Sequence, residues 1–269
     1  MPPPAIAPLA SFNADALRVK VFDTQSAMAT AAAELAAQCL RDALTRAGRA
    51  AAIIASAASQ IQFIDQLVAR ADIDWSRVTL FHMDEYLGVP DTHPASFRKF
   101  LRERVEQRVH PQAFHYVAGE SLEPLVECRR YAGLLAAQPI DLCCLGIGEN
   151  GHIAFNDPAV ARFDDPDPVK LVCLDEACRQ QQVGEGAFPN LAAVPTYAYT
   201  LTIPALSGAR TIVGVVPEAR KARAVRDALE GPLATACPAS FLRTRAQATL
   251  FLDRESASLL APNPAGRSA

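Results

Sequence analysis

Short apolar runs alternate with helix-patterned stretches along this chain, and that alternation leaves few folds open. Leu17–Phe22, Ala50–Ala55, Val78–His82, Ile140–Leu145 and Thr211–Val216 are brief and almost wholly apolar, the pattern of strands buried on both faces. Phe114–Val117, Val169–Leu174, Tyr199–Ile203 and Thr249–Leu252 read as further short strands. Between them lie an Ala-rich stretch from Ser26 to Leu44, ending near Gly48, and a stretch from Ser59 to Ala71 with Ile61, Ile64, Leu67 and Val68 on one face. Ser96–Val109 is charged and helical, and Leu122–Ala137 is helical with Pro124 in its first turn. Glu218–Leu229 places Ala222, Val225 and Leu229 on one face and stops at Gly231-Pro232. This order predicts an α/β fold: a mostly parallel sheet with helices on both faces. The 269 residues are read as one domain over 17–260, with a loose arm over 1–16 and a tail over 261–269.

Composition narrows the partners. The net charge is −3 and the basic residues gather into no stripe, so nucleic acid and an anionic membrane are not expected. The seven cysteines form no CxxC pair, and Cys143 and Cys144 sit together in an apolar run. That argues for free thiols in a reducing cytoplasm rather than disulfides or a zinc site. The N-terminus has no basic region and is interrupted by prolines, which makes a poor signal peptide. No apolar run approaches the roughly 18 residues that span a bilayer. The sequence leaves the oligomeric state open, a homo-oligomer included.

Two stretches carry more polar chemistry than packing requires. Asp141–Pro158 (DLCCLGIGENGHIAFNDP) begins as a buried strand and runs into a turn with Gly146, Gly148 and Gly151. Glu149, Asn150, His152, Asn156 and Asp157 cluster there, where ligands bind in open α/β sheets, just beyond the carboxyl ends of the strands. Phe81–Pro90 (FHMDEYLGVP) places Asp84 and Glu85 at the end of another strand. Taken alone, the two carboxylates read as loop caps and His152 as a structural histidine. Taken together, strand ends that are neighbours in a parallel sheet bring Asp84 and His152 to one pocket, an acid/base pair for moving protons at carbon and oxygen. The glycines do not make a dinucleotide fingerprint, and no phosphate loop of the GxxxxGK[ST] type and no GxSxG is present. His82, His93, His110 and His115 lack metal-ligand spacing.

FHMDEYLGVP and LGIGENGHIAFNDP together resemble the glucosamine-6-phosphate deaminase (isomerase) family, related to the 6-phosphogluconolactonases. ECRRY at 127–131, VPTYAYTLTIPAL at 194–206 and KARAVRDALEG at 221–231 follow in the family's order and spacing. Ile153-Ala154-Phe155-Asn156 after the Gly-His resembles the deaminase branch. The resemblance implies a modified Rossmann-like α/β/α sandwich, an aldose–ketose isomerisation coupled to loss of ammonia, a sugar phosphate as partner, and no organic cofactor or metal. It implies Asp84 as the base that carries a proton between C2 and C1, and His152 as the group that opens the sugar ring, oriented by Asn150 and Asp157.

The departures from the family pattern bear mainly on phosphate. Asn150 stands where Asp is frequent, and Asp157 where the family has Glu. The family's Thr-Gly-Gly-Thr phosphate loop aligns with Ser56-Ala57-Ala58-Ser59, so Ser56, Ser59 and Gln60 are the candidate donors there, with Gly151 and Lys221 as further substrate contacts. As a bare feature, Ser59 is equally a helix N-cap. The family's phosphate arginine falls near Gly184 or Glu185 and is absent; Arg179 lies about a turn earlier. The Ser-Arg-Thr segment tied to allosteric effectors in some members is replaced by Arg162-Phe163-Asp164-Asp165-Pro166, so that regulation is not expected. Two competitors stay open: a sugar-lactone hydrolase, which would not need Asp84, and a non-catalytic sugar-phosphate sensor.

Overall fold

The computed structural model describes residues 6–262. The strands are β1 (Ala10–Ala14), β2 (Leu17–Phe22), β3 (Ala50–Ile54), β4 (Val78–His82), β5 (Asp84–Tyr86), β6 (Ala113–His115), β7 (Leu142–Leu145), β8 (Val169–Cys173), β9 (Tyr197–Leu201), β10 (Thr211–Val216) and β11 (Ala248–Asp253). The α-helices are α1 (Gln25–Ala47), α2 (Ile61–Val68), α3 (Phe97–Leu101), α4 (Gln107–Val109), α5 (Pro124–Ala136), α6 (Glu176–Gly184), α7 (Ile203–Ser207) and α8 (Ala222–Glu230). Eight strands form the main sheet in the order β1-β2-β11-β10-β7-β3-β4-β6. All its neighbours are parallel except β1 and β2, so the expected mostly parallel sheet is present.

Successive residues of the central strands point to opposite faces, as a pleated strand requires. Ile53, Phe81, Cys143 and Leu250 enter one core with Tyr131, Val225 and Leu229. Ile54, Leu80, Cys144 and Phe251 enter the other with Met28, Leu40, Phe63 and Leu67 of α1 and α2. The buried face of α1 is mostly alanine, which lets a long helix lie close against the sheet. Thr24 caps its start by accepting the Ala27 N–H at 3.1 Å, and Gly48 ends it at φ +71° with its N–H on Leu44 O. That left-handed turn is the stop the sequence placed there.

Four expectations change. Residues 10–14 of the expected loose arm form β1, a hairpin partner of β2 with Phe12 opposite Val19; residues 1–5, and 263–269 of the expected tail, lie outside the described residues. The stretch expected as one helix over 96–109 is α3 and α4 joined by a π-helical segment, Arg102–Glu106. The strands read at Val169–Leu174 and Tyr199–Ile203 are β8 and β9, which leave the main sheet to form a separate antiparallel sheet in the order β5-β9-β8. Its third member, β5, is the DEY of the acidic motif, expected to be loop. Three residues are too few to show a period in sequence, but Asp84 pairs with Thr200 and Tyr86 with Ala198.

Candidate active site

Four adjacent strands of the main sheet, β10-β7-β3-β4, end at one cavity of about 290 Å3. β3 runs into Ser56–Ser59, β4 into Asp84, β7 into the Gly146–His152 loop, and β10 into Lys221. The chain fills β3, β4 and β6 in one direction and then returns to place β7 on the other side of β3. The cavity therefore opens at the point where the strand order reverses, the usual ligand crevice of an open parallel sheet. Asp84, His152, Ser56, Ser59 and Lys221 all line it.

Asp84 and Glu85 are consecutive in β5, so their side chains leave on opposite sides. Asp84 faces the cavity, and its Oδ1 is buried with no hydrogen-bond partner. Burial pushes its carboxyl well above the usual aspartate range, and the neighbouring Glu85 adds to the effect. Glu85 turns away and is wholly enclosed. It accepts hydrogen bonds from the N–H groups of Phe97 and Arg98, from Ser96 Oγ at 2.9 Å and from Arg98 Nε at 3.2 Å. It is the anionic cap of α3. Glu85 is thus a cap, but of a helix and from a strand rather than of a loop, and Asp84 is the carboxylate free to act on a ligand.

The glycine loop holds the imidazole by subtraction. A Cβ on Gly148 would lie 2.2 Å from the His152 ring, so only glycine leaves the ring its place. Gly151 lies at φ +83° over Cys237, whose Sγ would be 2.7 Å from an added Cβ. Gly151 does not line the cavity: it is a turn residue, and the expected substrate contact is corrected to that role. Asn150 and Asp157 stand behind His152 rather than in the cavity. His152 Nδ1 lies 3.0 Å from Asp157 Oδ1, close but not in line for a hydrogen bond. Asn150 Oδ1 accepts the His152 N–H and its Nδ2 donates to Asp157 Oδ1, both at 3.0 Å. Burial alone would raise the Asp157 carboxyl, but the contact with His152 and the donors on it hold it below its ordinary value. The shorter aspartate thus reaches the histidine. Cys178 Sγ joins His152 and Asp157 within 4.8 Å, the one such donor group among the described residues. Burial keeps that thiol protonated, far above its usual range. A closed structural zinc site takes four protein ligands, and only these three donors meet here among the described residues.

On the other side of the cavity, Ser56 Oγ is buried and unpartnered. Ala57 is extended at φ −152°, and neither alanine of the loop has positive φ, so the loop adopts a path that needs no glycine. Gln60 is a correction. Its Nε2 donates to Val215 O at 2.9 Å, tying the loop to β10, and it does not line the cavity. Lys221 is buried and makes no ion pair among the described residues. Burial lowers its ammonium below the usual lysine range, with the nearby Glu185 opposing that effect. Arg179 does not enter the cavity; its guanidinium is spent on Leu191 O and Val194 O at 2.7 and 3.1 Å. Sequence reasoning missed Gln181, Gln182 and Glu185, which α6 brings to the cavity, and Arg104 from the π-helical segment. None of them follows a strand of the main sheet, which was the signal used. His82, unassigned from sequence, is buried, accepts the Val117 N–H on Nε2 at 2.7 Å, and is driven by burial to a pKa of about 3.

The chain is similar to proteins of one known family. The family described as glucosamine-6-phosphate isomerases/6-phosphogluconolactonase matches residues 23–251. A glucosamine-6-phosphate deaminase of Exiguobacterium sibiricum is 39% identical over 188 residues, 70% of this chain and 73% of that one. One of Pseudarthrobacter chlorophenolicus is 34% identical over 232 residues, 84% and 88% of the two chains. Among solved structures, a monomeric glucosamine-6-phosphate deaminase superposes with a TM-score of 0.82 at 28% identity, covering 90% of this chain and 99% of the other. A 6-phosphogluconolactonase of Shewanella baltica shares the fold, with a TM-score of 0.71 at 22% identity over 87% and 96% of the two chains.

Proposed function

The chain belongs to the glucosamine-6-phosphate isomerase/6-phosphogluconolactonase family, and from that premise we propose that it converts glucosamine-6-phosphate to a ketose phosphate and ammonia. The observation that carries the reading is Asp84: a buried carboxylate with an unpartnered oxygen, aimed into the cavity that His152 shares. Lactone hydrolysis has no use for a base at that point.

The chemistry follows from the two groups. His152 moves a proton to the ring oxygen and opens the pyranose to its aldehyde. Asp84 removes the proton on C2 as the aldehyde oxygen gains one, leaving an enol at C1 and an amine at C2; it then returns its proton to C1 as the nitrogen gives one up, which yields the 2-imine with no net change in protons. Water adds to the imine carbon, and ammonia leaves. A desolvated carboxylate with a raised pKa is a stronger base than a free one, which suits abstraction from carbon. Asn150 and Asp157 keep the imidazole oriented and offset its positive charge when it is protonated.

Ammonium release by the purified protein tests this, with glucosamine-6-phosphate, galactosamine-6-phosphate and unphosphorylated glucosamine in parallel. The expected result is release from the first and at least a 100-fold loss in Asp84→Asn, the low end for losing a general base. Near-full turnover in that variant removes Asp84 from the role. Hydrolysis of 6-phosphogluconolactone with no ammonia from any amino sugar moves the protein to the lactonase branch.

A further inference from the structure

The cavity holds a second cation besides Lys221. Arg104 lies on the π-helical segment Arg102–Glu106 and lines the cavity together with Ser56, Ala57, Ala58, Ser59 and Ile61. That segment packs against α2, the helix that follows the serine loop. Val105 enters the same core as Ile64 and Leu67, and one turn later Arg108 pairs with Asp65. Those anchors place Arg104 beside the start of α2, where Ile61 lines the same cavity. The Arg104 guanidinium makes no ion pair and donates no hydrogen bond among the described residues; it rests on the Phe100 ring at 5.3 Å. An arginine left without an acceptor beside a cavity is ready for an anion, and its planar fork matches the oxygens of a phosphoryl group.

The charges around it point the same way. The lining residues include two cations, Arg104 and Lys221, and two carboxylates, Asp84 and Glu185. Asp84 is biased toward its neutral form by burial. Glu185 is already paired with Arg220 at 3.0 Å and accepts from Gln181 Nε2 at 2.8 Å. That leaves two cations without carboxylate partners. Ser56 Oγ, buried, unpartnered and lining the same cavity, supplies an independent donor in want of an acceptor.

We propose that Arg104 is a phosphate-specificity residue, closing on the phosphoryl group from the helical side while Lys221 and the serine loop hold it from the sheet. The inference rests on the amino-sugar phosphate reading, and it names how a chain without the family's arginine and glycine loop takes a phosphorylated substrate.

The test compares wild type with Arg104→Ala, Arg104→Gln and Arg104→Lys. KM for glucosamine-6-phosphate and calorimetric titration of inorganic phosphate and fructose-6-phosphate are read on each. In Arg104→Ala and Arg104→Gln the KM rises about tenfold or more, the loss expected for a charge-assisted hydrogen bond, and kcat falls far less. Both titrated ligands weaken in parallel, and Arg104→Lys recovers part of the loss. Unchanged KM and unchanged titrations in a folded Arg104→Ala or Arg104→Gln overturn the proposal, as does a loss that falls on kcat alone. If wild type releases no ammonia from any amino sugar, the function reading fails by itself, and the two titrations still decide Arg104.

Discussion

Asp84 carries a carboxyl whose pKa burial has raised above its unfolded value, with nothing donating to Oδ1. Below pH ~3.8 both the folded and the unfolded chain hold the proton, and the group costs no stability. As the pH rises past that value, the unfolded carboxyl ionises first, and the folded state loses stability until its own raised pKa is passed. Asp84→Asn removes that loss. The variant is expected to melt at a higher temperature than wild type near neutral pH, with the gap closing as the pH falls toward 4, while its activity is lost. Glu85→Gln goes the other way. Glu85 is ringed by donors and paired with the nearly buried Arg98, so breaking that pair costs about 3 kcal/mol. Thermal melts of both variants at two pH values check the contrast. A melting point for Asp84→Asn below wild type at neutral pH would mean that the carboxylate is paid for by contacts it makes when charged. The adjacent motif letters gave no hint of this split, because it depends on which side of a three-residue strand each side chain leaves.

The elements divide by how plainly their residues announce them. The core strands were legible because a strand buried on both faces must be apolar throughout, and the carboxyl ends of β4 and β7 led directly to Asp84 and His152, whereas Ser56 and Lys221 were legible only through the family resemblance. α6 was not legible: Glu176–Gly184 is mostly polar, with Cys178 and Gln182 its buried residues. It is held in place by caps and side-chain bonds rather than by an apolar stripe. Asp175 caps its start by accepting the Cys178 N–H at 2.6 Å, and Tyr86 Oη donates to Gln182 Oε1 at 2.6 Å from β5. Tyr86→Phe is therefore expected to destabilise the protein by about 1–2 kcal/mol, since it leaves a buried amide oxygen without its donor. Because Gln181, Gln182 and Glu185 line the cavity, the same change should raise KM more than it lowers kcat. Denaturant unfolding and steady-state kinetics on one preparation test both halves. Normal KM with lowered stability would show that α6 keeps its position without the bond.

At the scale of the whole molecule, the same enclosure shifts two titrations toward each other. The chain is net anionic at −3, so binding an anionic phosphate depends on local cations rather than on a general field. The architecture was legible as a whole because βα alternation leaves a parallel sheet little choice of where its ligand sits. Gln60 misled because its side chain turns to Val215 O instead of the crevice, Gly151 because it forms the turn over Cys237 and does not line the cavity, and Arg104 was hidden because it arrives from a helix face. Once the strand ends are closed over by α6 and the β5-β9-β8 sheet, burial raises the Asp84 carboxyl and lowers the Lys221 ammonium. The base works only when deprotonated, so kcat/KM should fall on the acid side at a pH well above the usual aspartate range. Lys221 attracts phosphate only when protonated, so on the alkaline side the fall should begin below the usual lysine value and should appear in KM rather than kcat. Lys221→Arg separates the limbs: an arginine keeps its charge throughout this range, so KM becomes flat with alkaline pH, at whatever value the altered geometry allows, while the acid limb stays where Asp84 sets it. An alkaline limb that survives Lys221→Arg unchanged belongs to another group, and Lys221 then holds phosphate without setting its pH dependence.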